Sequence, residues 1–359
     1  MDPTKLIPVP DTIPAPAWFF YLLDVVTFLL HILVINVILG GSLLIFFSRL
    51  RNPNENLDDS FSGAIARKIP TGFALGVNLG VAPLLFIQVI YGHLIYSSSV
   101  LMAVFWILVI PLLILAYYSA YIFVRKYETS PTLSLVSIAI TSLILLYIGF
   151  TYVNNLTLMV QPEKWGAYFN NSRGTILNVS DPTFIPRYLH FVIASIAIAG
   201  LFASLIWSFR EKKKVAGAAK NIRAGLKIFA IATCIQVVIG LWFLIALPRD
   251  LMLAFMGKNL LYTIILMVGI SLGIGSIVMA FMGKLIPTLV HLIATMVVMV
   301  INRVNLRSLY LDDVFKLESL ELNPQYRVLT LFLVIFVAGL VIVGYMLKLA
   351  LAANERRGA

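Results

Sequence analysis

The sequence predicts an all-α polytopic membrane protein, and three observations lead there. Of its 359 residues, 60% are hydrophobic and only 12% charged, and the mean hydropathy is +0.96. So few charges cannot cover that much apolar surface in water. Apolar stretches of about 20 residues, enough to cross a bilayer, recur along the whole chain. The alternating polar and apolar positions of a membrane barrel are absent, whereas helices satisfy their own backbone groups in lipid.

The opening MDPTKLIPVPDTIPAP is proline-rich and lacks an apolar run before a cleavage site, so it does not read as a signal peptide. Trp18 then begins the first span, 17–48, as an interfacial anchor. That span contains FLLHILVINVILGG, which places His31 and Asn36 among apolar residues and ends on Gly40 and Gly41. Spans two to four follow at 71–98, 100–124 and 132–156. Span five, 186–209, starts at Pro186, and span six covers 225–247. Spans seven to nine cover 260–282, 284–302 and 328–351, making nine in one transmembrane domain, 1–359. The connecting loops 157–185, 248–259 and 303–327 are too short for a further domain.

Basic residues give the orientation. Arg49, Arg51, Arg67 and Lys68 lie between spans one and two, and Arg125 and Lys126 follow span three. Between spans five and six come Arg210, Lys212, Lys213, Lys214, Lys220, Arg223 and Lys227, and Lys284 separates spans seven and eight. With nine spans all of these fall on one side, which the positive-inside rule makes cytoplasmic. The N-terminus is then outside and the C-terminus cytoplasmic. The net charge of +11 reflects this topology rather than nucleic-acid binding. Cys234 is the only cysteine, which excludes a disulfide framework, a CxxCH haem attachment and an iron–sulfur site.

Chemistry is left to four histidines, His31, His93, His190 and His291, all within predicted spans. An imidazole is costly there, and one alone reads as an interhelical hydrogen bond. Four together point to a shared cofactor. At ~1.5 Å per residue, His31 lies about 20 Å inward of Trp18, and His291 about 18 Å inward of Arg303. His93 and His190 both lie near the outer surface. Two depth-matched pairs are what two b-type haems with paired axial imidazoles require. Ala194, Ala197 and Gly200 after His190, with Gly76, Gly80 and Gly92 in span two, would allow a macrocycle close to the backbone or serve plain helix packing. Arg187, Arg249, Arg303 and Arg307 are cations on the outer side that suit propionates.

HILVINVILGGSLL resembles the first helix of cytochrome bd quinol oxidase subunit I. FALGVNLGVAPLLFIQVIYG (73–92) is similar to that family's second helix, and RYLHFVIASIAIAGLF (187–202) to its fifth. The resemblance covers about the first 210 residues and implies a bundle of this type. His31 then matches the high-spin haem ligand and His190 a low-spin ligand. Met252 or Met256 in PRDLMLAFMGKN matches the family's methionine ligand and would replace His93, while His291 stands where the family has a carboxylate. Span three lacks the glutamates that serve oxygen chemistry, and the quinol loop between spans six and seven is short.

These readings predict a subunit with haem b, two or three groups, in a bacterial or archaeal cytoplasmic membrane. It would pass electrons between quinone or quinol and an external partner, a c-type cytochrome or another respiratory-complex subunit, without reducing oxygen. A proton-coupled transporter, a haem-free membrane anchor and a bd-type quinol oxidase are the competing readings. Asp24 lies two helical turns before His31 on the same face. It is either a proton acceptor for quinol or a carboxylate partnered by Arg187 or Arg303.

Overall fold

The computed structural model describes residues 3–53 and 60–358. Among these, nine helices are long and apolar enough to cross a membrane, and the one β-bridge joins Ile13 to Leu322. We number them α1 (Ala17–Arg51), α2 (Ile69–Leu101), α3 (Ala103–Lys126), α4 (Pro131–Met159), α5 (Phe184–Lys212), α6 (Ala218–Ile245), α7 (Leu260–Phe281), α8 (Leu285–Leu311) and α9 (Tyr326–Gly358). All nine predicted spans are present. The largest difference is in α8, which continues past residue 302 to Leu311. The 248–259 loop is itself a short helix, Arg249–Leu253, followed by a wide turn over Ala254–Lys258.

Local chemistry sets the helix ends. Pro131 and Pro70 occupy first-turn positions, where a missing N–H costs nothing. The Asn259 side chain caps α7 by accepting from Leu261 N at 3.1 Å and Tyr262 N at 3.3 Å. Gly283, at φ +74°, makes the tight turn into α8. Helix α2 is interrupted at Tyr91 (φ −122°, ψ 27°), directly before Gly92.

Helices α1, α5 and α6 form the middle of the bundle, with α2 against α1, α7 and α8 beyond α6, and α3 and α4 on the other side. Glycines let the central helices touch backbone to backbone. A Cβ on Gly40 would lie 1.9 Å from the Ser195 carbonyl oxygen, and one on Gly225 2.4 Å from that of Gly200. Gly41 and Gly76 are filled by isoleucines, Ile65 and Ile35 with Ile38. Gly40, Gly41, Gly76 and Gly200 thus serve helix packing, which for Gly76 and Gly200 is one of the two roles the sequence left open. Helix α9 stands apart: every side chain from Thr330 to Ala350 is exposed.

The cytoplasm-directed basic residues of the sequence reading gather at one end of the bundle, here called the basic end. The other, loop end is closed by residues 160–183. There Asn178 N donates to Asn154 Oδ1 at 2.7 Å, and Asn178 Nδ2 to Gln161 Oε1 at 2.9 Å. Gln161 Nε2 donates to Asp181 Oδ2 at 2.6 Å, and Lys164 Nζ lies 3.3 Å from the same oxygen. Burial alone would raise the Asp181 carboxyl, but hydrogen bonds from Thr183 and Gln161, with the Lys164 charge, hold it below its usual range.

Candidate functional site

Toward the loop end, α1, α5 and α8 bring four charged side chains together. Asp24 Oδ2 and Arg307 Nη1 are 3.4 Å apart, with their side chains 6% and 5% exposed. The Arg303 guanidinium lies 4.0 Å from the centre of the Phe28 ring, that of Arg307 5.0 Å from Tyr91, and that of Arg187 5.0 Å from Phe243. Aromatic faces favour cations, but none neutralises a charge. Arg303 lies within electrostatic reach of Arg307, Asp24 and Arg187. The other carboxylate that reaches Arg187, Asp181, is already matched by Lys164. Three guanidinium groups thus face one carboxylate, an excess of two positive charges where an unpaired charge is costly. Arg187 Nε, Arg303 Nη1 and Arg307 Nη2 are buried there without a hydrogen-bond partner among the described residues.

The ion pair gives Asp24 the partnered role that the sequence reading set beside proton acceptance. Its partner is Arg307 in place of Arg187 or Arg303. Arg249, by contrast, is exposed and apart from this cluster.

No protein-family model matches this chain, and no curated protein matches it either.

Each histidine occupies its own interhelical slot. His31 Nδ1 lies 3.0 Å from the Gly76 carbonyl oxygen, which can only accept, so Nδ1 carries the proton and Nε2 the lone pair. The ring rests on Gly80 of α2, where a Cβ would come within 2.7 Å of Cε1. His291 repeats this on α8. Its Nδ1 donates to the Pro287 carbonyl at 2.9 Å, and the ring rests on Gly275 of α7. His190 faces α6, with Nε2 3.2 Å from Gln236 Nε2, Gly240 beneath the ring and a buried Nδ1 lacking a partner. His93 packs on Phe315, ring centres 4.7 Å apart, and its Nε2 is buried without a partner. No hydrogen bond or ring contact joins any two of these imidazoles among the described residues.

The depths also differ from the sequence expectation. Asp24 meets Arg307, and Phe28, four residues on, meets Arg303, four residues back; α1 and α8 therefore run antiparallel in step. On that register His31 is level with Val300, and His291 lies about 13 Å nearer the basic end. The sequence estimate counted depth from Arg303 as the helix end, whereas α8 runs two turns further. His190 sits one turn inward of Arg187, as His31 sits one turn inward of Phe28 and its arginine. His93 lies beyond the arginines, against a residue past the end of α8. The matched layer is thus His31 with His190, and the pairings His31–His291 and His93–His190 are corrected.

The two methionines diverge. Met252 packs beside Leu247, Phe255 and Leu306, whereas Met256 is 57% exposed on the wide turn before α7. The partners that sequence reasoning missed are Gln236 and Gly240 under His190, Gly275 under His291, and Phe28 and Tyr91 under the arginines. Gln236 was visible as an intramembrane amide; nothing local to the sequence pointed it at α5.

Proposed function

We propose that this chain is a haem b-containing membrane subunit that transfers electrons between the quinone pool and an external redox partner. The observation that carries the reading is the buried excess of two positive charges on Arg187, Arg303 and Arg307, one helical turn beyond the His31 and His190 layer. A ligand with two carboxylates and an affinity for imidazole matches both features, and a b-type haem has two propionates. The residues fit such a group. A ligating imidazole commonly donates its other N–H to a backbone carbonyl, as His31 does to Gly76. The unpartnered N–H groups of the three arginines suit carboxylates, which accept bidentate bonds.

His31 and His190 would hold haem iron through ring nitrogens, with Arg187 and Arg303 on the propionates. Bound there, haem supplies one-electron redox chemistry. The protein's own part is to fix the imidazoles, neutralise the propionates and keep water from the site. Asp24 anchors Arg307, and through it α8 to α1. The likeness of the first five spans to cytochrome bd subunit I supports the same reading. So does span three, whose lack of glutamates favours electron transfer over oxygen reduction. A c-type cytochrome at the loop end and a bacterial or archaeal cytoplasmic membrane complete the proposal.

The test is the reduced-minus-oxidised spectrum of the purified protein from haem-replete cells. A b-type α-band is expected, with its low-spin component lost in His190→Ala and in His31→Ala alike. In Arg187→Gln/Arg303→Gln, haem should dissociate more readily with both histidines intact. A flat spectrum in the wild type would leave the transporter or anchor reading in its place.

A further inference from the structure

Between α7 and α8 a groove of about 440 Å³ is lined by Thr263, Ile264, Met267, Val268, Ser271, Leu272 and His291. The groove is shallow and open along one side. The α7 residues form a single stripe, one helical face about 13 Å long. The walls are apolar apart from three side chains, and one of these is already engaged. The Thr263 hydroxyl donates to Asn259 O at 2.8 Å and accepts from Gly257 N at 2.9 Å.

The other two are free and opposite in kind. The Nδ1–H of His291 is committed to Pro287 O, so Nε2 can only accept. The ring packs on Gly275, where a Cβ would lie 2.7 Å from Cδ2 and 3.1 Å from Nε2, and it lines the groove with Nε2 lacking a hydrogen-bond partner among the described residues. Ser271, one turn before Gly275 and exposed in the groove, has an O–H with no partner among the described residues. An imidazole facing lipid is uncommon because the hydrocarbon offers it no hydrogen bond.

We propose that this groove binds the headgroup of an isoprenoid quinol, with one hydroxyl donating to His291 Nε2 and the second oxygen accepting from Ser271. The proposal rests on the reading that the chain exchanges electrons with the quinone pool, and it locates that exchange at α7–α8 rather than at Asp24. It carries a redox preference. A quinol offers the O–H that Nε2 needs, while a quinone presents a carbonyl lone pair to another lone pair. The reduced form should bind about fivefold tighter or more, the worth of one hydrogen bond. His291 is about 13 Å along the axis from the His31 layer, so the groove and the arginine site are distinct.

The experiment is anaerobic equilibrium binding of a tritiated short-chain ubiquinol to the protein in phospholipid nanodiscs, reduced and then desalted free of excess reductant, with duroquinol and duroquinone as competitors. Duroquinol should compete better than duroquinone, and His291→Phe and Ser271→Ala should each weaken binding about fivefold with unchanged haem content. His291→Phe keeps a ring on Gly275, and Ser271→Ala alters only an exposed hydroxyl, so both variants retain the packing. Absence of binding, equal competition by the two redox forms, or binding unaffected by both variants overturns the proposal. Loss of haem in His291→Phe also overturns it, because the imidazole would then serve iron. If the wild type binds quinol through His291 but shows no haem spectrum, the groove stands and the cytochrome reading fails.

Discussion

Replacing Asp24 with Asn removes the one carboxylate that contacts the arginine cluster among the described residues, without changing the shape of the side chain. The pair it forms with Arg307 is 3.4 Å long and 5–6% exposed. At an effective dielectric constant of about 20, attraction at that distance is about 5 kcal/mol. Desolvation of both ions offsets part of this, and breaking such a pair from one side costs about 3–5 kcal/mol because the other charge stays buried. Asp24→Asn should lose that amount, and Arg307→Gln somewhat less, since Arg303 remains within reach of Asp24. The double variant leaves neither orphan, so its loss should fall short of the sum by about 2–3 kcal/mol. The measurement is reversible unfolding of all four proteins in mixed micelles, read as a double-mutant cycle. Additivity within about 0.5 kcal/mol would show that the two side chains share no buried pair. The register of α1 against α8, and the depths derived from it, would fall with that result.

Gly40→Ala should destabilise the bundle by more than about 3 kcal/mol, since its Cβ would lie 1.9 Å from the Ser195 carbonyl oxygen and the helices must part. Gly166→Ala, with nothing within 4 Å of its Cβ, is the matched control; equal losses in micelle unfolding would refute the close α1–α5 contact. Acidification should release the 160–183 segment. The folded Asp181 carboxyl titrates below its usual 3.8, so its contribution is present above that value and is lost as pH falls through the depressed one. Proteolysis of the segment should rise on acidification in the wild type and lose that dependence in Asp181→Asn, and an unchanged profile in the variant would assign the effect elsewhere.

The nine spans were legible in the sequence because the bilayer dictates both length and composition. Hydrocarbon about 30 Å thick demands about 20 apolar residues per helix, and no partner is needed to read that. The four histidines and the outer arginines were legible for a related reason: polar groups stand out where they are costly. What each of them touches was decided only by tertiary structure. Inside lipid no hydrophobic periodicity tells one helix face from another, because lipid tails are as apolar as a neighbouring helix. Glycine contacts set the helix positions instead, and these depend on residues far apart in sequence, as with Gly40 and Ser195, or Gly80 and His31. The two extra turns of α8 had the largest consequence. They carry Arg303 and Arg307 inside the bundle to meet Phe28 and Asp24, and they shift His291 toward the basic end and out of the His31 layer. Local composition ended that span at residue 302, since an arginine reads as a boundary. The structure continues it, because Asp24 and two aromatic rings on other helices, Phe28 and Tyr91, receive the arginines, and only the folded chain brings those partners together.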